Sequence, residues 1–514
     1  MPTLQLTANP KLVVTKHARW LIPIIAGALL PFGFAPFHWW PLILPGLWLL
    51  NHSLNYQNPR QAAVQGWLFG MAFFGVGVSW VFVSIHEHGN ASVPLAGMLT
   101  ALFIVGISLF PMLQFYLTAK LTPRKHPLLN GLSFLSFWVV FEWFRSWFLT
   151  GFPWLYLGNA FIDTPIAGWG PVTGVYGVTA VALFSVIALG WSLSLSGRAI
   201  MKVVLLAGIG GLWLGGWALQ SVAWTNQGQI FSVAMVQADI AQADKWKQEK
   251  KLANTNHYLS LTDLLWDADL IIWPETALPY FKHQVEPLLQ RLNTKAKQTD
   301  TTLALGILSA EFDPPADPRL YNSFLVLGQG EGLYHKQKLV PFGEYVPLES
   351  LLRGLIDFFN LPMSHMQRGH DHQSALSFRD KKLMPLICYE VVYPDFVASY
   401  ATQADVLVTV SNDSWFGTSI GPHQHLQIAQ MRALETQRYV LRATNNGITA
   451  IIDPAGKIEH IVPQFERTAL TGDAHFRSGN TPFMVTGSWP VLLFVAALIL
   501  FCGGRAKGWT SGTQ

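Results

Sequence analysis

Three short segments carry side chains that can do chemistry together. In Leu270-Ile-Ile-Trp-Pro-Glu-Thr-Ala277 an acidic residue follows an apolar, strand-like run and a proline. That places Glu275 at a sheet edge, where α/β proteins commonly bind ligands; a carboxylate opening a helix would read the same way. In Tyr334-His-Lys-Gln-Lys-Leu-Val-Pro-Phe-Gly-Glu-Tyr-Val-Pro347 two lysines and a glutamate bracket a Pro-Phe-Gly turn. This could hold a cation beside a reacting carbonyl, or form a solvated hairpin. In Leu383-Met-Pro-Leu-Ile-Cys-Tyr-Glu390 an apolar strand ends on Cys388, the strand-to-loop corner that suits a nucleophile. A thiol reacts well at neutral pH only beside a base and a cation, and a lone buried cysteine is often inert. The second cysteine, Cys502, sits in a C-terminal apolar run as a packing or lipid-facing thiol, so no disulfide framework exists.

Alternating strand-like and helix-like stretches position these segments. Ile230–Val236, Leu270–Trp273, Thr302–Leu308, Asn322–Leu327, Leu383–Cys388, Val406–Val410 and Ile448–Ile452 read as strands. Tyr258–Leu265, Val285–Ala296 and His423–Arg438 read as helices. An α/β layered domain follows, with strand order left open and no internal repeat visible.

Charge divides the chain. Of its 514 residues 51% are hydrophobic and 12% charged, about half the charged share of an ordinary soluble domain. Between Trp20 and Gln220 only ten residues carry charge, whereas Ser221–Ser488 holds 22 basic and 27 acidic residues. The formal +4 therefore lies near the apolar segments and is topology information, not a nucleic-acid footprint. Eight apolar runs approach the length needed to cross about 30 Å of hydrocarbon: Trp20–Phe37, Trp39–Leu54, Ala62–Ile85, Val93–Leu121, Pro127–Phe148, Pro171–Leu195, Ile200–Gln220 and Trp489–Cys502. The first two are short and joined by a proline-rich aromatic corner. Lys11, Lys16 and Arg19, then Arg60, then Lys120, Arg124 and Lys125, then Arg198 and Lys202, then Arg505 and Lys507 make every second loop basic. Both termini are expected to be cytoplasmic, with the polar domain outside. The basic start followed by an apolar run lacks a convincing small-residue cleavage site, so it reads as a span. Gly66-x-x-x-Gly70 and the glycines of Gly208–Gly216 suit close helix packing. Glu142 and Arg145, three apart near the end of the fifth run, would pair or meet a head group. His86-Glu-His88, His370-Asp-His372 and His423-Gln-His425 lack an evident third ligand, so no metal is expected.

Taken together, the order Glu, Lys, Cys, each in its own strand-end setting, resembles the nitrilase or carbon-nitrogen hydrolase superfamily. That resemblance implies an αββα sandwich and extends to Ser411-Asn-Asp-Ser-Trp-Phe-Gly417 and Arg442-Ala-Thr-Asn-Asn-Gly447. With seven apolar runs before the domain and one after it, Gly151-Phe-Pro-Trp154 and Val340-Pro-Phe-Gly-Glu-Tyr-Val-Pro347, nearly the whole chain resembles the bacterial apolipoprotein N-acyltransferase family. Loop length between Glu275 and Lys336 is the main departure. The implied architecture is a multi-span α-helical membrane domain (1–220), a nitrilase-like catalytic domain in the periplasm (221–488) and a C-terminal span with a cytoplasmic tail (489–514), in the bacterial inner membrane.

The resemblance also implies the roles. Glu275 is the general base, Cys388 the nucleophile and Lys336 the oxyanion partner, with Glu344, Tyr389 and Glu390 in support: Glu344 orienting Lys336 or the amine, Glu390 lining the pocket. The acyl donor is the sn-1 ester of a phospholipid, phosphatidylethanolamine, and the acceptor is the α-amine of a diacylglyceryl-cysteine apolipoprotein. The chain acts as a monomer in the bilayer, without cofactor or nucleic acid. Trp154, Trp246 and Trp415 are candidate wall or gate residues, or members of an interfacial belt. Two rivals stay open: a membrane-tethered carbon-nitrogen hydrolase (amidase) that releases acyl groups to water, and a transporter with an accessory domain, against which the scarcity of ionisable residues in the runs argues.

Overall fold

A computed structural model describes residues 18–54, 58–89, 91–122, 127–195, 199–314, 317–346 and 365–510. Lys11, Lys16, Arg124, Lys125, Arg198 and Pro347 lie outside the described residues.

The polar part folds as two facing six-stranded sheets. The first runs in the order β12-β1-β2-β3-β4-β5, with β1 Asn226–Gln237, β2 Leu270–Phe281, β3 Thr302–Glu311, β4 Arg319–Gly328, β5 Gly332–His335 and β12 Thr468–Ser478. The second runs β11-β10-β9-β8-β7-β6, with β6 Leu376–Phe378, β7 Lys381–Ile387, β8 Val406–Ser411, β9 Val440–Thr444, β10 Thr449–Ile452 and β11 Ile458–Val462. Read from β12 in the first sheet and from β6 in the second, both repeat one sequence of pairings: antiparallel, two parallel, two antiparallel. The chain thus holds a topological duplication that its residues do not display. Buried Val, Ile and Leu fill the parallel strands, because such strands are covered on both faces. The Lys251–Thr262 and Glu286–Gln298 helices cover the first sheet, Trp273 Nε1 donating to Thr262 Oγ1 at 2.9 Å. The Pro394–Ala401 and Gly421–Thr436 helices belong to the second layer. This is the nitrilase-like αββα arrangement. All seven expected strands and three expected helices are present with shifted ends; β5, β6, β9, β11 and β12 were not anticipated.

The apolar part is helical, with α1 Ala18–Leu29, α2 Ile43–Leu54, α3 Pro59–Gly77, α4 Trp80–Val83, α5 Val93–Ile107, α6 Leu109–Leu121, α7 Pro127–Arg145, α8 Gly170–Ser194 and α9 Ala199–Leu219. Among the described residues three helices are long and apolar enough to cross a membrane, Val93–Leu121, Pro165–Ser194 and Ala199–Leu219. A fourth crossing is available if the pair Pro59–Gly77 and Trp80–His88, bent by 57°, counts as one. This is fewer than the eight apolar runs, for stated reasons. The first two runs fold as helices of 12 residues each, about 18 Å long at 1.5 Å per residue. The last helix, Trp489–Thr510, is apolar only over Trp489–Gly504, and α7 carries Glu142 and Arg145. Large apolar side chains stand exposed along these helices, including Ile200 at 82%, Leu193 at 72% and Leu500 at 77%. Gly66 and Gly70 lie against Pro111 and Ser108, so α3 packs backbone to backbone on α6 as the glycine spacing suggests. Of the second glycine run, Gly216 meets Pro165 and Ile166, whereas Gly210 and Gly211 touch nothing. Glu142 and Arg145 do not pair. Glu142 accepts from Trp138 Nε1, Thr179 Oγ1 and the Leu157 amide, and Arg145 donates to the Trp154 carbonyl.

The Gly421–Thr436 helix joins the two parts. Gln424 Oε1 accepts from Trp80 Nε1 at 3.2 Å and Trp154 Nε1 at 2.7 Å, and its Nε2 donates to the Gly77 carbonyl at 3.0 Å. Gln427 Oε1 accepts from the Ala35 amide, and Glu435 Oε1 from the Val175 amide at 2.7 Å, beside the break in α8 at Gly174.

Candidate active site

Glu275 projects from a bulge. Pairing of β2 with β3 runs from Trp273↔Leu305 straight to Leu278↔Ile307, so four residues of β2 face Gly306 alone. A bulge of this kind re-aims a side chain, and Thr276 takes a φ of +47° to complete it. The expectation that the strand ends before Glu275 is therefore corrected: β2 continues beyond it to Phe281. A Cβ on Gly306 would stand 2.5 Å from both the Pro274 oxygen and the Thr276 nitrogen and 2.7 Å from Glu275 Cα. Gly306→Ala is expected to displace the bulge, lowering stability by about 1–3 kcal/mol, the usual cost of overpacking, and acyl transfer by about 100-fold, as for a misplaced reacting group. Thermal melting and N-acylation of a diacylated lipopeptide measure the two effects.

Lys336 follows β5 and binds two carboxylates. Its Nζ lies 3.3 Å from Glu275 Oε1 and 2.8 Å from Glu344 Oε2, and all three residues are buried. Asn322 Nδ2 donates to Glu275 Oε1 at 2.8 Å and to Glu344 Oε1 at 3.0 Å, while the Asn412 amide donates to Glu275 Oε2 at 2.9 Å. Glu344 also accepts from the Val340 amide, which closes the Pro-Phe-Gly turn. Burial alone would discharge Lys336, but Glu344 and Glu275 outweigh it and hold the ammonium protonated.

Cys388 stands at the end of β7 with φ +52°, a strained value for a residue with a side chain. Burial pushes its thiol pKa up, Glu275 and Asp413 push it further, and Lys336 and a Ser411 hydrogen bond oppose them. These influences together keep the resting sulfur a thiol. Glu390 is fully buried. Its Oε2 accepts from the Ile387 amide at 2.7 Å, and its Oε1 from the Gln337 amide at 2.6 Å and Tyr334 OH at 2.8 Å. It braces the Cys388 turn against the Lys336 segment, and burial pushes its pKa up to about 7. Tyr389 donates to the Gly151 carbonyl at 3.1 Å. Trp154 is buried at 1% exposure, its ring 5.6 Å from that of His425, whose Nε2 lies 3.3 Å from the Cys388 carbonyl. Trp246 and Trp415 are half-buried, Trp415 with its ring edge-on to His88.

Residues 26–188 match the family model of the apolipoprotein N-acyltransferase N-terminal domain, and residues 232–477 that of the carbon-nitrogen hydrolases. A Pseudomonas syringae pv. tomato protein named apolipoprotein N-acyltransferase is 45% identical over 489 residues, 94% of this chain and 95% of its own. The chain belongs to the apolipoprotein N-acyltransferase family. A Coxiella burnetii protein of the same name is 40% identical over 488 residues, covering 93% of this chain and 99% of its own. Among solved structures, an amidase from Nesterenkonia sp. aligns at 17% identity and a TM-score of 0.35, covering 53% of this chain and 98% of that one. This member of the apolipoprotein N-acyltransferase family is thus an acyltransferase enzyme carrying a carbon-nitrogen hydrolase domain.

Several residues that build the site in this N-acyltransferase family member escaped sequence reasoning. Asn322 bridges both glutamates; a lone amide in the apolar run of β4 was its signal. Asp413 sits between His425 Nδ1 at 3.1 Å and Arg442 Nη2 at 2.5 Å, beneath the Cys388 corner. Burial would raise Asp413, but Arg442 and His425 hold it down at about 2. Lys245, buried after β1, donates to the Glu275 carbonyl at 3.1 Å and carried no signal in the sequence.

Proposed function

We propose that this acyltransferase moves a fatty acyl chain from the sn-1 position of a phospholipid, phosphatidylethanolamine, through a thioester on Cys388 to the α-amine of a diacylglyceryl-cysteine apolipoprotein. One observation supports it above the rest: in a buried Glu275–Lys336–Glu344 cluster, Glu275 and Lys336 act electrostatically on a thiol that is protonated at rest. Glu275 takes the thiol proton while sulfur bonds to the ester carbon, and Lys336 offsets the charge on the tetrahedral oxygen. The C–O bond breaks, Glu275 returns the proton to the leaving alkoxide, and a lysophospholipid departs. The acceptor amine then attacks the thioester, Glu275 takes its proton, the C–S bond breaks and the thiolate is reprotonated. A thioester suits this relay because thiolate is both a strong nucleophile and a good leaving group.

The exposed apolar side chains on the helices support a multi-pass enzyme of the bacterial inner membrane, with residues 1–220 and 489–514 in or beside the bilayer and 221–488 as a periplasmic catalytic domain. The basic loops support cytoplasmic termini. Trp246 and Trp415 are the proposed walls of the acyl path, backed by Trp154, and the working unit is a monomer. Purified protein incubated with labelled phospholipid is expected to gain a fatty-acyl adduct on Cys388, found by mass spectrometry, that accumulates without a diacylated lipopeptide and is consumed when it is added. Unmodified Cys388 in active enzyme would exclude the route, and free fatty acid without N-acylated peptide would favour the amidase.

A further inference from the structure

The two glutamates and Lys336 leave a buried charge imbalance. Counted as carboxylates and an ammonium, Glu275, Glu344 and Lys336 sum to one negative charge in a desolvated cluster. Excess negative charge disfavours a thiolate nearby. A second buried lysine reaches Glu275 through its backbone. Lys245 is 3% exposed, donates its ammonium to the Glu275 carbonyl at 3.1 Å, and interacts electrostatically with both Glu275 and Cys388. Among the described residues no carboxylate lies within ion-pair distance of it, and Asp244, its neighbour in sequence, pairs instead with Lys247 at 2.7 Å.

The segment that carries Lys245 is pinned in place. Asn445 accepts from the amides of Asp239 and Ile240 and donates to the Ile240 carbonyl, and Gln242 Oε1 accepts from Asn412 Nδ2 at 2.7 Å. Asn412 in turn holds Glu275 by its amide. The ammonium is thus built into the site, and a desolvated lysine without a counter-ion persists only where something offsets its cost.

We propose that Lys245 is the second cation of the site, a positioning residue that holds the Glu275 bulge by its carbonyl and supplies the positive potential under which Cys388 releases its proton. This rests on Cys388 being the acylated nucleophile. The groups facing Lys245 are Glu275 from β2 and Cys388 from the turn after β7, with Lys336 and Glu344 joined to Glu275 and Asp413 acting on Cys388. Burial pushes the Lys245 pKa down to about 8. It is charged below that pH and loses its influence above it.

The test uses the full-length protein and iodoacetamide as a probe of Cys388, which needs no acyl donor. Lys245→Gln keeps a donor for the carbonyl without the charge, and Lys245→Arg keeps the charge. Lys245→Gln is expected to alkylate about tenfold more slowly at pH 7, the effect of one neighbouring charge moving a pKa by about one unit, with the deficit narrowing above pH 8. Lys245→Arg should recover most of the rate. In the unsubstituted protein, alkylation should rise with pH less steeply than a single titration. Wild-type alkylation by Lys245→Gln, a Lys245→Arg variant as slow as Lys245→Gln, or a single-titration profile in the unsubstituted protein would each overturn the role. Failure of the unsubstituted enzyme to form a thioester with phospholipid would instead sink the acyl-transfer reading, whatever the alkylation rates show.

Discussion

Cys388→Ala is expected to abolish N-acylation of a diacylated lipopeptide and the covalent acyl adduct together. Loss of a nucleophile from a preorganised site costs on the order of 10⁵- to 10⁶-fold in rate, because the remaining donors can bind the ester but nothing can carry the acyl group. The fold should survive. Cys388 is held by its backbone, through the Glu390 carboxylate on the Ile387 amide and His425 on its own carbonyl, and neither contact uses the sulfur. Mass spectrometry of the lipopeptide product, beside a melting curve within a few degrees of the parent, measures both halves. Retention of even about 1% of activity by well-folded Cys388→Ala would place the chemistry on another residue.

Lys336→Met should damage both activity and stability, and the stability loss should depend on pH. The side chain is 1% exposed and ties two carboxylates that also share Asn322. Without the ammonium, Glu275 and Glu344 form a buried like-charge pair, and at least one carboxyl shifts upward. Removing one partner of a buried ion pair costs about 3–5 kcal/mol. The sign follows from the proton count. A carboxyl with a raised folded pKa binds its proton more tightly in the folded state, so the variant loses stability as pH rises from its unfolded value through the raised one. Melting temperatures of Lys336→Met and the parent should approach each other near pH 4.5 and separate by pH 7. In the parent, Lys336 has a raised pKa, so its contribution is complete below the ordinary lysine value and fades only in alkali. Loss of the oxyanion partner alone costs about 10²- to 10³-fold in rate; mispositioning of Glu275 adds to that. Acyl transfer above about a tenth of the parent rate would show that Lys336 is structural only.

Core strands were legible because burial on both faces demands continuous apolar runs, as in Ile271, Ile272, Leu407 and Val408. Short edge strands such as β6 offer three residues and no pattern, and β9 hides the fully buried Arg442 among apolar neighbours. The Gly421–Thr436 helix was recognised by type, but not its surroundings. Gln424, His425, Gln427 and Glu435 are all buried, each meeting a partner outside the helix, and buried Arg432 pairs with Glu435 one turn on. The candidate residues Glu275, Lys336, Glu344 and Cys388 lie in local motifs, and the structure brings the first three into contact. Asn322 and Lys245 were not legible in the sequence, because their roles exist only after β1, β2 and β4 are set side by side. The apolar runs showed where charge is absent and that the first two are short, but not that each would hold an α-helix of only 12 residues.

The Gly421–Thr436 helix also ties the hydrophobic body to the segment that carries Cys388. From one end of a short relay, Trp154 and Trp80 hold Gln424; one residue on, His425 holds the Cys388 carbonyl. A water-soluble fragment cut free at the last apolar helix would keep every reacting side chain yet strip Gln424, Gln427 and Glu435 of the backbone groups that dry and orient them. If Cys388 is the nucleophile, reagents built from the polar half alone start with it unsupported.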